Sequence, residues 1–263
     1  MDFKLRGKRA LVTGSTQGIG FAIALGLARE GAAVVVNGRG EAKVKDAVKR
    51  LVGETKASVT GIASDVGSAA EVDRLVAQLG AVDILINNAG IFEPKPFLDI
   101  PDRDWIRHFE VNVMSGVRLS RALLPHMLKQ NWGRIVFISS ESGLNIPAEM
   151  VQYGMTKTAQ LAVSRGIAET IPGTGVTVNA VLPGPTLTEG VNAFLETLAK
   201  DRGISVDEMA IELIKTLRPT SLIKRWATPE EVANPVVYLC SEAASATTGA
   251  AIRVDGGVVR SIA

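Results

Sequence analysis

A tyrosine and a lysine four residues apart have the clearest chemical potential in this chain. On a helix, Tyr153 and Lys157 would share one face. An ammonium group beside a phenol favours the phenolate, so we expect Lys157 to lower the pKa of Tyr153 from its usual value of about 10. Such a phenol can exchange a proton with an alcohol or a carbonyl near neutral pH. Ser140, thirteen residues earlier, would hydrogen-bond the substrate oxygen and stabilise the charge that develops there.

Three glycines form a second cluster, directly after the first predicted strand. Gly14, Gly18 and Gly20 stand at a strand-to-helix junction. Glycines there permit a tight turn and let backbone amides approach a pyrophosphate at the helix N-terminus. We interpret the cluster as a dinucleotide-binding loop rather than a turn without a ligand. Its Gly-x-x-x-Gly-x-Gly spacing differs from the common Gly-x-Gly-x-x-Gly fingerprint.

Short β-branched runs alternate with longer helical patterns and predict the scaffold that positions these residues. The predicted strands lie at residues 10–13, 33–37, 59–63, 84–86, 135–139, 176–181 and 251–254. The predicted helices lie at residues 19–30, 41–52, 69–79, 104–129, 151–170 and 229–240. Continuous apolar strands indicate a sheet that helices cover on both faces. We therefore expect an α/β fold with a doubly wound, seven-stranded parallel sheet.

No linker or repeat divides the chain, so residues 1–263 are expected to form a single dinucleotide-binding and catalytic domain. The one long interval without a strand runs from Pro183 to Arg225 and carries apolar, helix-like patches. We expect residues 187–223, called the lid segment below, to cover the substrate site.

The composition excludes several classes of function. The net charge of +2 contains no block of like charges, which argues against a nucleic-acid partner. His108, His126 and Cys240 offer no zinc-ligand spacing, so no metal is expected. A lone cysteine fits a reducing compartment. With no apolar leader and no apolar run of about 20 residues, the chain is interpreted as a cytoplasmic protein without a membrane partner.

At these motifs the chain resembles the short-chain dehydrogenase/reductase family, in its short single-domain subclass, and is similar to 3-oxoacyl-carrier-protein reductase-like members. The resemblance covers essentially all of the chain and implies a Rossmann fold that assembles as a homotetramer or a homodimer. Asn112, Ser140, Tyr153 and Lys157 match the family's catalytic tetrad. By resemblance, Lys157 also binds the nicotinamide ribose, and Asn112 holds a water that relays protons to solvent.

The resemblance also implies a set of cofactor-binding residues spread over the whole chain. They comprise the glycine loop, the end of strand two, the turns after strands three and four, the catalytic pair and the loop after strand six: Gly14, Ser15, Thr16, Gly18, Ile19, Gly20, Arg39, Asp65, Val66, Asn88, Ala89, Gly90, Tyr153, Lys157, Pro183, Gly184 and Thr188.

The end of the second strand favours NADP(H) over NAD(H). An enzyme that uses NAD usually places a carboxylate there to bind the ribose 2′-hydroxyl. Here Gly38 takes that position and Arg39 follows, so a guanidinium is available for a 2′-phosphate. Ser15 and Thr16 could add hydroxyl donors. The alternative is that Arg39 is a solvated surface residue, and Gln17 departs from family members that carry a second basic residue there.

The sequence predicts a small-molecule carbonyl or alcohol as substrate and leaves its identity open. Ser140, Ser142 and Tyr153 are expected to bind it. Ser139, which also competes for the role of Ser140, should point away because side chains alternate along a strand. The remaining pocket residues are mostly apolar, with one carboxylate: Glu141, Ser142, Leu144, Met150, Leu187, Val191, Phe194 and Leu195.

A 3-oxoacyl thioester, a cyclic ketone, a sugar-derived ketone and a xenobiotic all remain candidate substrates. A basic group could dock an acyl carrier, although a solvated helix face or an oligomer contact explains it more simply: Arg118, Arg121, Lys129 and Arg134. Two rival functions are a non-catalytic NADP-binding sensor or scaffold and an epimerase or dehydratase of the same fold.

Overall fold

The computed structural model describes residues 3–262, which form a seven-stranded parallel sheet with helices on both faces. The strands are β1 (Arg9–Val12), β2 (Ala33–Gly38), β3 (Val59–Ala63), β4 (Ile84–Asn87), β5 (Gly133–Ile138), β6 (Val176–Pro183) and β7 (Ala251–Val254). Their order across the sheet is β3-β2-β1-β4-β5-β6-β7, and every neighbouring pair is parallel. The predicted fold class is confirmed.

Nine α-helices are described within residues 3–262. They are α1 (Gly18–Arg29), α2 (Glu41–Thr55), α3 (Ala69–Leu79), α4 (Asp102–Phe109), α5 (Ser115–Lys129), α6 (Val151–Glu169), α7 (Glu189–Arg202), α8 (Val206–Leu217) and α9 (Pro229–Leu239). One core lies between the sheet and α1, α2 and α9, and a second lies between the sheet and α3, α5 and α6. The carboxyl ends of β1, β4 and β5 therefore lie at the same edge of the sheet. Ligands of such sheets bind at this edge.

The single helix predicted at 104–129 is wrong in one respect. A five-residue π-helical turn, Glu110–Met114, separates α4 from α5. Such turns are rare and occur most often at functional sites. Hydrophobic periodicity continues through the turn, so the sequence pattern did not distinguish it from a regular helix.

The lid segment has its own small core. Leu195, Ala199 and Met209 are buried between α7 and α8, and Trp226 packs against them. Both helices begin at side-chain caps: the Thr188 hydroxyl accepts a hydrogen bond from Val191, and Ser205 forms a capping box with Glu208. The two helical patches predicted in this interval are thus present and packed on each other.

Candidate active site

The fold brings Tyr153, Lys157 and Ser140 together. Tyr153 and Lys157 lie on adjacent turns of α6, and the Lys157 Nζ is 5.4 Å from the centre of the Tyr153 ring. Ser140 follows β5, and its hydroxyl is near enough to the Tyr153 phenol to lower the pKa of that phenol. Ser140 and Lys157 are buried, whereas Tyr153 is half-buried. The phenol therefore lies between a hydroxyl and an amine, with part of its ring accessible.

Burial controls the protonation of this pair. It raises the pKa of Tyr153 to about 12, although the nearby Ser140 hydroxyl acts in the opposite direction. Two charged groups add smaller effects: Glu141 raises the pKa of the phenol and Arg218 lowers it. Burial also lowers the pKa of Lys157 to about 7. The expected lowering of the Tyr153 pKa by Lys157 is wrong here, because burial of the phenol raises its pKa more than its neighbours lower it.

The amine of Lys157 is held by two oxygens. Its Nζ donates to the Ile138 carbonyl at 2.9 Å and to the Gln160 Oε1 at 3.1 Å. The Gln160 side chain in turn donates to the Asn112 carbonyl at 2.7 Å. Sequence analysis missed Gln160, although a position three residues after Lys157 on the same helical face was the available signal.

Asn112 lies in the π-helical turn, and its amide fixes the loop after β4. The Asn112 Oδ1 accepts a hydrogen bond from the Ile91 amide at 2.8 Å. Its Nδ2 donates to the Ile91 carbonyl and to the Thr156 hydroxyl, both at 2.9 Å. These contacts anchor the loop to α6 next to Lys157. The expected role of Asn112 in a proton relay stays a prediction.

The glycine loop has the conformation that its sequence predicts. Gly14 and Gly18 adopt positive φ angles of 60° and 59°, which favour glycine. A Cβ on Gly20 would lie 2.4 Å from the Gly14 carbonyl, so no larger residue fits. The Asn88 side chain donates to the carbonyls of Thr13 and Gly14 at 2.9 and 3.0 Å. The loop is therefore fixed to the turn after β4, with its amides at the start of α1.

A cavity of about 670 Å³ opens beside this loop. Seven of the predicted cofactor-binding residues line it: Gly14, Thr16, Arg39, Asp65, Val66, Ala89 and Gly90. A Cβ placed on Gly90 would lie 3.5 Å from the Lys157 Nζ, so the cavity reaches the catalytic lysine. Two exposed basic residues that sequence analysis missed, Lys43 and Arg107, also line it. For Lys43, the signal was its place in the first turn of α2, just beyond Arg39.

Ser15 does not contribute a side chain to this cavity. It is fully buried, donates to the Val12 carbonyl at 2.6 Å and accepts from the Asn37 amide at 3.1 Å. The expectation that its hydroxyl is available to a 2′-phosphate is therefore wrong, because that hydroxyl fixes the end of β2. Thr16 lines the cavity and remains the candidate donor.

The remaining predicted cofactor residues lie around the other end of the loop. Pro183 ends β6, and a Cβ on Gly184 would lie 2.6 Å from the Asp255 carbonyl. Thr188 caps α7 and packs against Gly18, where its methyl group would be 3.2 Å from an added Cβ. Ile19 lies in the first turn of α1. Their role in holding a cofactor stays a prediction.

Two residues predicted near the substrate, and one predicted in the basic surface group, take other positions. Leu195 is buried in the core between α7 and α8 and does not line a substrate pocket. Ser142 is buried, and its hydroxyl donates to Glu141. Arg134 is buried in β5 and binds backbone carbonyls, so it belongs to no surface patch. As expected, Ser139 points away from Tyr153, since its hydroxyl donates to the Lys157 carbonyl at 2.8 Å.

Apolar side chains that were predicted to contact the substrate are exposed. They are Leu144, Leu187 and Phe194. Phe92, which sequence analysis missed, contacts the Tyr153 ring edge-on with ring centres 6.2 Å apart. This surface suits the apolar part of a substrate.

Neither a metal site nor a membrane span was found among residues 3–262. No group of three or more histidine, cysteine, aspartate or glutamate side chains there could hold a metal ion. No helix in the same range is long and apolar enough to cross a bilayer.

Comparisons with known proteins place the chain among oxidoreductases. A family model described as Enoyl-(Acyl carrier protein) reductase matches residues 14–259. The chain is 49% identical to the uncharacterized oxidoreductase YvaG of Bacillus subtilis (strain 168), over all of both chains. It is 36% identical to the D-beta-hydroxybutyrate dehydrogenase of Cupriavidus necator, over 97% of this chain and 99% of that protein.

The similar solved structures include complexes with a nicotinamide cofactor and a substrate. L-Sorbose reductase from Gluconobacter frateurii, complexed with NADPH and L-sorbose, matches all of both chains with a TM-score of 0.95 and 34% identity. A 7 alpha-hydroxysteroid dehydrogenase complexed with NADH and 7-oxo glycochenodeoxycholic acid matches with a TM-score of 0.85 and 32% identity. The match covers 100% of this chain and 98% of that one.

Proposed function

The chain belongs to the short-chain dehydrogenase/reductase family, and we propose that it is an NADP(H)-dependent oxidoreductase that interconverts a carbonyl and a secondary alcohol. One observation carries this proposal. The Ser140 hydroxyl lies near the Tyr153 phenol, while Lys157 lies on the adjacent helical turn beside a cavity lined by Arg39. The intact tyrosine and lysine disfavour the alternative of a non-catalytic sensor or scaffold.

The residues present fit a dinucleotide. The absence of a side chain at Gly20 lets the loop pass close to the start of α1, whose N-terminus would face a pyrophosphate. Asp65 and Val66 would hold the adenine end, and Lys157 and Thr188 would hold the nicotinamide half. When bound, the nicotinamide supplies a hydride in reduction and accepts one in oxidation.

Tyr153 would donate the proton in reduction and accept it in oxidation. A pKa of about 12 keeps the phenol protonated at neutral pH, which suits the donor role. Ser140 would donate to the carbonyl oxygen as negative charge develops there. Lys157, with a pKa of about 7, can gain a proton near neutral pH and would favour the phenolate once charged.

The cofactor preference rests on charge around the end of β2. Gly38 brings no carboxylate, and the exposed side chains of Arg39 and Lys43 lie in the same cavity as Thr16. Two cations and a hydroxyl are suited to a 2′-phosphate. Among the similar structures, L-sorbose reductase is complexed with NADPH and the hydroxysteroid dehydrogenase with NADH, so the charges of this chain decide the proposal.

The substrate would be a medium-sized ketone or the matching alcohol. Exposed Leu144, Phe92 and Phe194 would contact its apolar part. We further propose that residues 187–223 act as a lid over it, because α7 and α8 pack on each other and keep apolar residues exposed, and Arg218, which follows α8, bonds Glu141 next to Ser140. Assembly as a homodimer or homotetramer and a cytoplasmic location complete the proposal.

A screen of NADPH oxidation tests this function directly. The panel is L-sorbose, a 3-oxoacyl thioester, a steroid ketone, a simple cyclic ketone and a 2-enoyl thioester. We expect turnover of at least one ketone, and its loss in Tyr153→Phe. Tight NADPH binding with no turnover on any member would support the sensor alternative, and turnover of the enoyl thioester alone would replace carbonyl reduction by reduction of a carbon–carbon double bond.

A further inference from the structure

One arginine of the lid is bonded to both segments that flank the catalytic residues. Arg218 follows α8, and its Nε donates to the Glu141 Oε1 at 2.7 Å. Its Nη1 lies 3.4 Å from the Glu149 Oε1. Glu141 comes directly after Ser140, and Glu149 stands in the turn that leads into α6 and Tyr153. Arg218 therefore connects the end of the lid segment to the two turns that flank Ser140 and Tyr153.

The Arg218–Glu141 pair is almost fully removed from water. The exposed fraction is 12% for the Arg218 side chain and 3% for that of Glu141. The Glu141 Oε1 also accepts from Ser142, whereas its Oε2 is buried without a hydrogen-bond partner in the described structure. A buried pair of this kind is a poor source of net stability, because desolvation offsets most of the attraction. Its position beside the proposed catalytic residues therefore points to another role.

Both charges of the pair act on the phenol. Glu141 raises the pKa of Tyr153 and Arg218 lowers it, so the two lie within electrostatic reach of its oxygen. The other charged groups near the phenol are Lys157 on its own helix and Glu149, whose side chain is 42% exposed and lies 3.4 Å from the Arg218 Nη1. When Arg218 is absent from the pair, the phenol faces a buried and uncompensated carboxylate.

We propose that Arg218 is a positioning residue, which acts through Glu141 to link closure of the lid to the placement of Ser140 and to the electrostatic environment of the Tyr153 phenol. With the lid closed, the guanidinium neutralises Glu141 and favours transfer of the proton. With the lid open, Glu141 holds the proton on Tyr153. Proton release is thereby restricted to the closed state.

This inference rests on the proposed function of Tyr153, but it is testable without turnover. The chain has two tyrosines, Tyr153 and Tyr238. Full-length protein labelled with difluorotyrosine gives two fluorine NMR signals, and a Tyr238→Phe background isolates the signal of Tyr153. Fluorination makes the phenol ionise at lower pH than tyrosine, which brings the titration into a range where the fold can be checked by circular dichroism.

The two partners should shift this titration in opposite directions. Glu141→Gln removes the negative charge and should lower the midpoint by about one pH unit. Arg218→Met leaves Glu141 unpaired and should raise it by a similar amount. The double variant should return toward the parent, because both charges are gone. Glu149→Gln, which removes the exposed partner of the same guanidinium, is the matched control and should change the midpoint little.

Hydrogen exchange supplies the second readout. Arg218→Met should speed exchange in residues 206–217 and in the turn at 141–143, whereas Glu149→Gln should not. Shifts of the same sign in both single variants, or no shift in Glu141→Gln, would overturn the proposal and leave the pair a structural tie. If Arg218→Met does not fold, the titration midpoint of Glu141→Gln alone tests the proposal, because glutamine keeps the shape of the side chain and removes its charge.

Discussion

The carboxylate of Glu189, at the start of α7, accepts a hydrogen bond from the backbone amide of Gly18 at 2.8 Å. Gly18 is the first residue of α1 and belongs to the glycine loop. The first amides of a helix are the groups that bind a pyrophosphate. The lid is thus bonded to the nucleotide loop through a negative charge next to the position that we propose for the anionic cofactor.

Glu189→Gln should strengthen NADPH binding. The amide can still accept from Gly18, but it no longer repels the pyrophosphate. A charge at a helix terminus is worth about 0.3–1 kcal/mol, so we expect about a two- to fivefold lower Kd. Glu196→Gln is the matched control, because Glu196 lies about two turns further along the same helix and bonds Asn192 rather than the loop. Fluorescence titration with NADPH measures both, and weaker binding in Glu189→Gln would show that the contact supports the cofactor site instead.

Tyr153→Phe should remove activity and retain the cofactor. The ring and its contact with Phe92 stay, while the hydroxyl near Ser140 is lost. Positioned acid–base catalysis contributes about 10²–10⁴-fold, so kcat should fall by at least that range. The Kd for NADPH should change little. Substantial turnover in this variant would exclude Tyr153 as the proton donor.

The stability of the protein should carry a signature of Lys157. Burial lowers its pKa from 10.5 to about 7, so between these values the unfolded state binds more protons than the folded state. Stability should therefore rise with pH across that window. Lys157→Met removes this contribution. The urea midpoint of the parent minus that of the variant should therefore increase as the pH rises from 7 to 10. A difference that stays constant would mean that burial does not shift the pKa of Lys157.

Cofactor choice should depend on the charges at the end of β2. A charge-assisted hydrogen bond is worth about 1.5–3 kcal/mol, so Arg39→Ala should weaken NADPH by about ten- to a hundredfold and leave NADH nearly unchanged. Lys43→Ala should act in the same direction with a smaller effect, because an ammonium lacks the bidentate fork. Binding titrations with both nucleotides measure the two effects, and unchanged NADPH affinity in both variants would contradict the assignment.

Gly38→Asp should move preference toward NADH, but the structure adds a condition. A Cβ at position 38 would lie 2.7 Å from the Thr16 methyl group, so Thr16 must rotate. Gly38→Ala is therefore the matched control for crowding. Only the difference in nucleotide affinity between the aspartate and alanine variants measures the effect of the carboxylate.

Helices α4, α5 and α6 are expected to form a contact between copies of the chain. Ile106, Phe109 and Leu128 are exposed on α4 and α5. Exposed apolar patches of this kind often mark protein–protein contacts. Light scattering at micromolar concentration should give at least twice the 27.8 kDa chain mass. A monomer would contradict the prediction. Ile106→Glu should shift the mass toward one chain, whereas Leu98→Glu in the loop before α4 is an exposed control.

The sequence by itself determined the order of elements and the main catalytic candidates. Apolar runs alternating with helical patterns require a covered parallel sheet, so the scaffold followed from local rules. Tyr153 and Lys157 were identified because helical periodicity places positions four residues apart on one face. Gly14 and Gly20 were identified because a tight strand-to-helix turn excludes side chains.

Tertiary structure alone decided which groups are buried and which distant groups meet. The pKa of Tyr153 moves upward because desolvation depends on every neighbouring layer, and spacing along α6 does not report it. The Ser15 hydroxyl is taken up by Val12 and Asn37. Arg218 reaches Glu141 across 77 positions of the chain, a contact that only the tertiary structure creates.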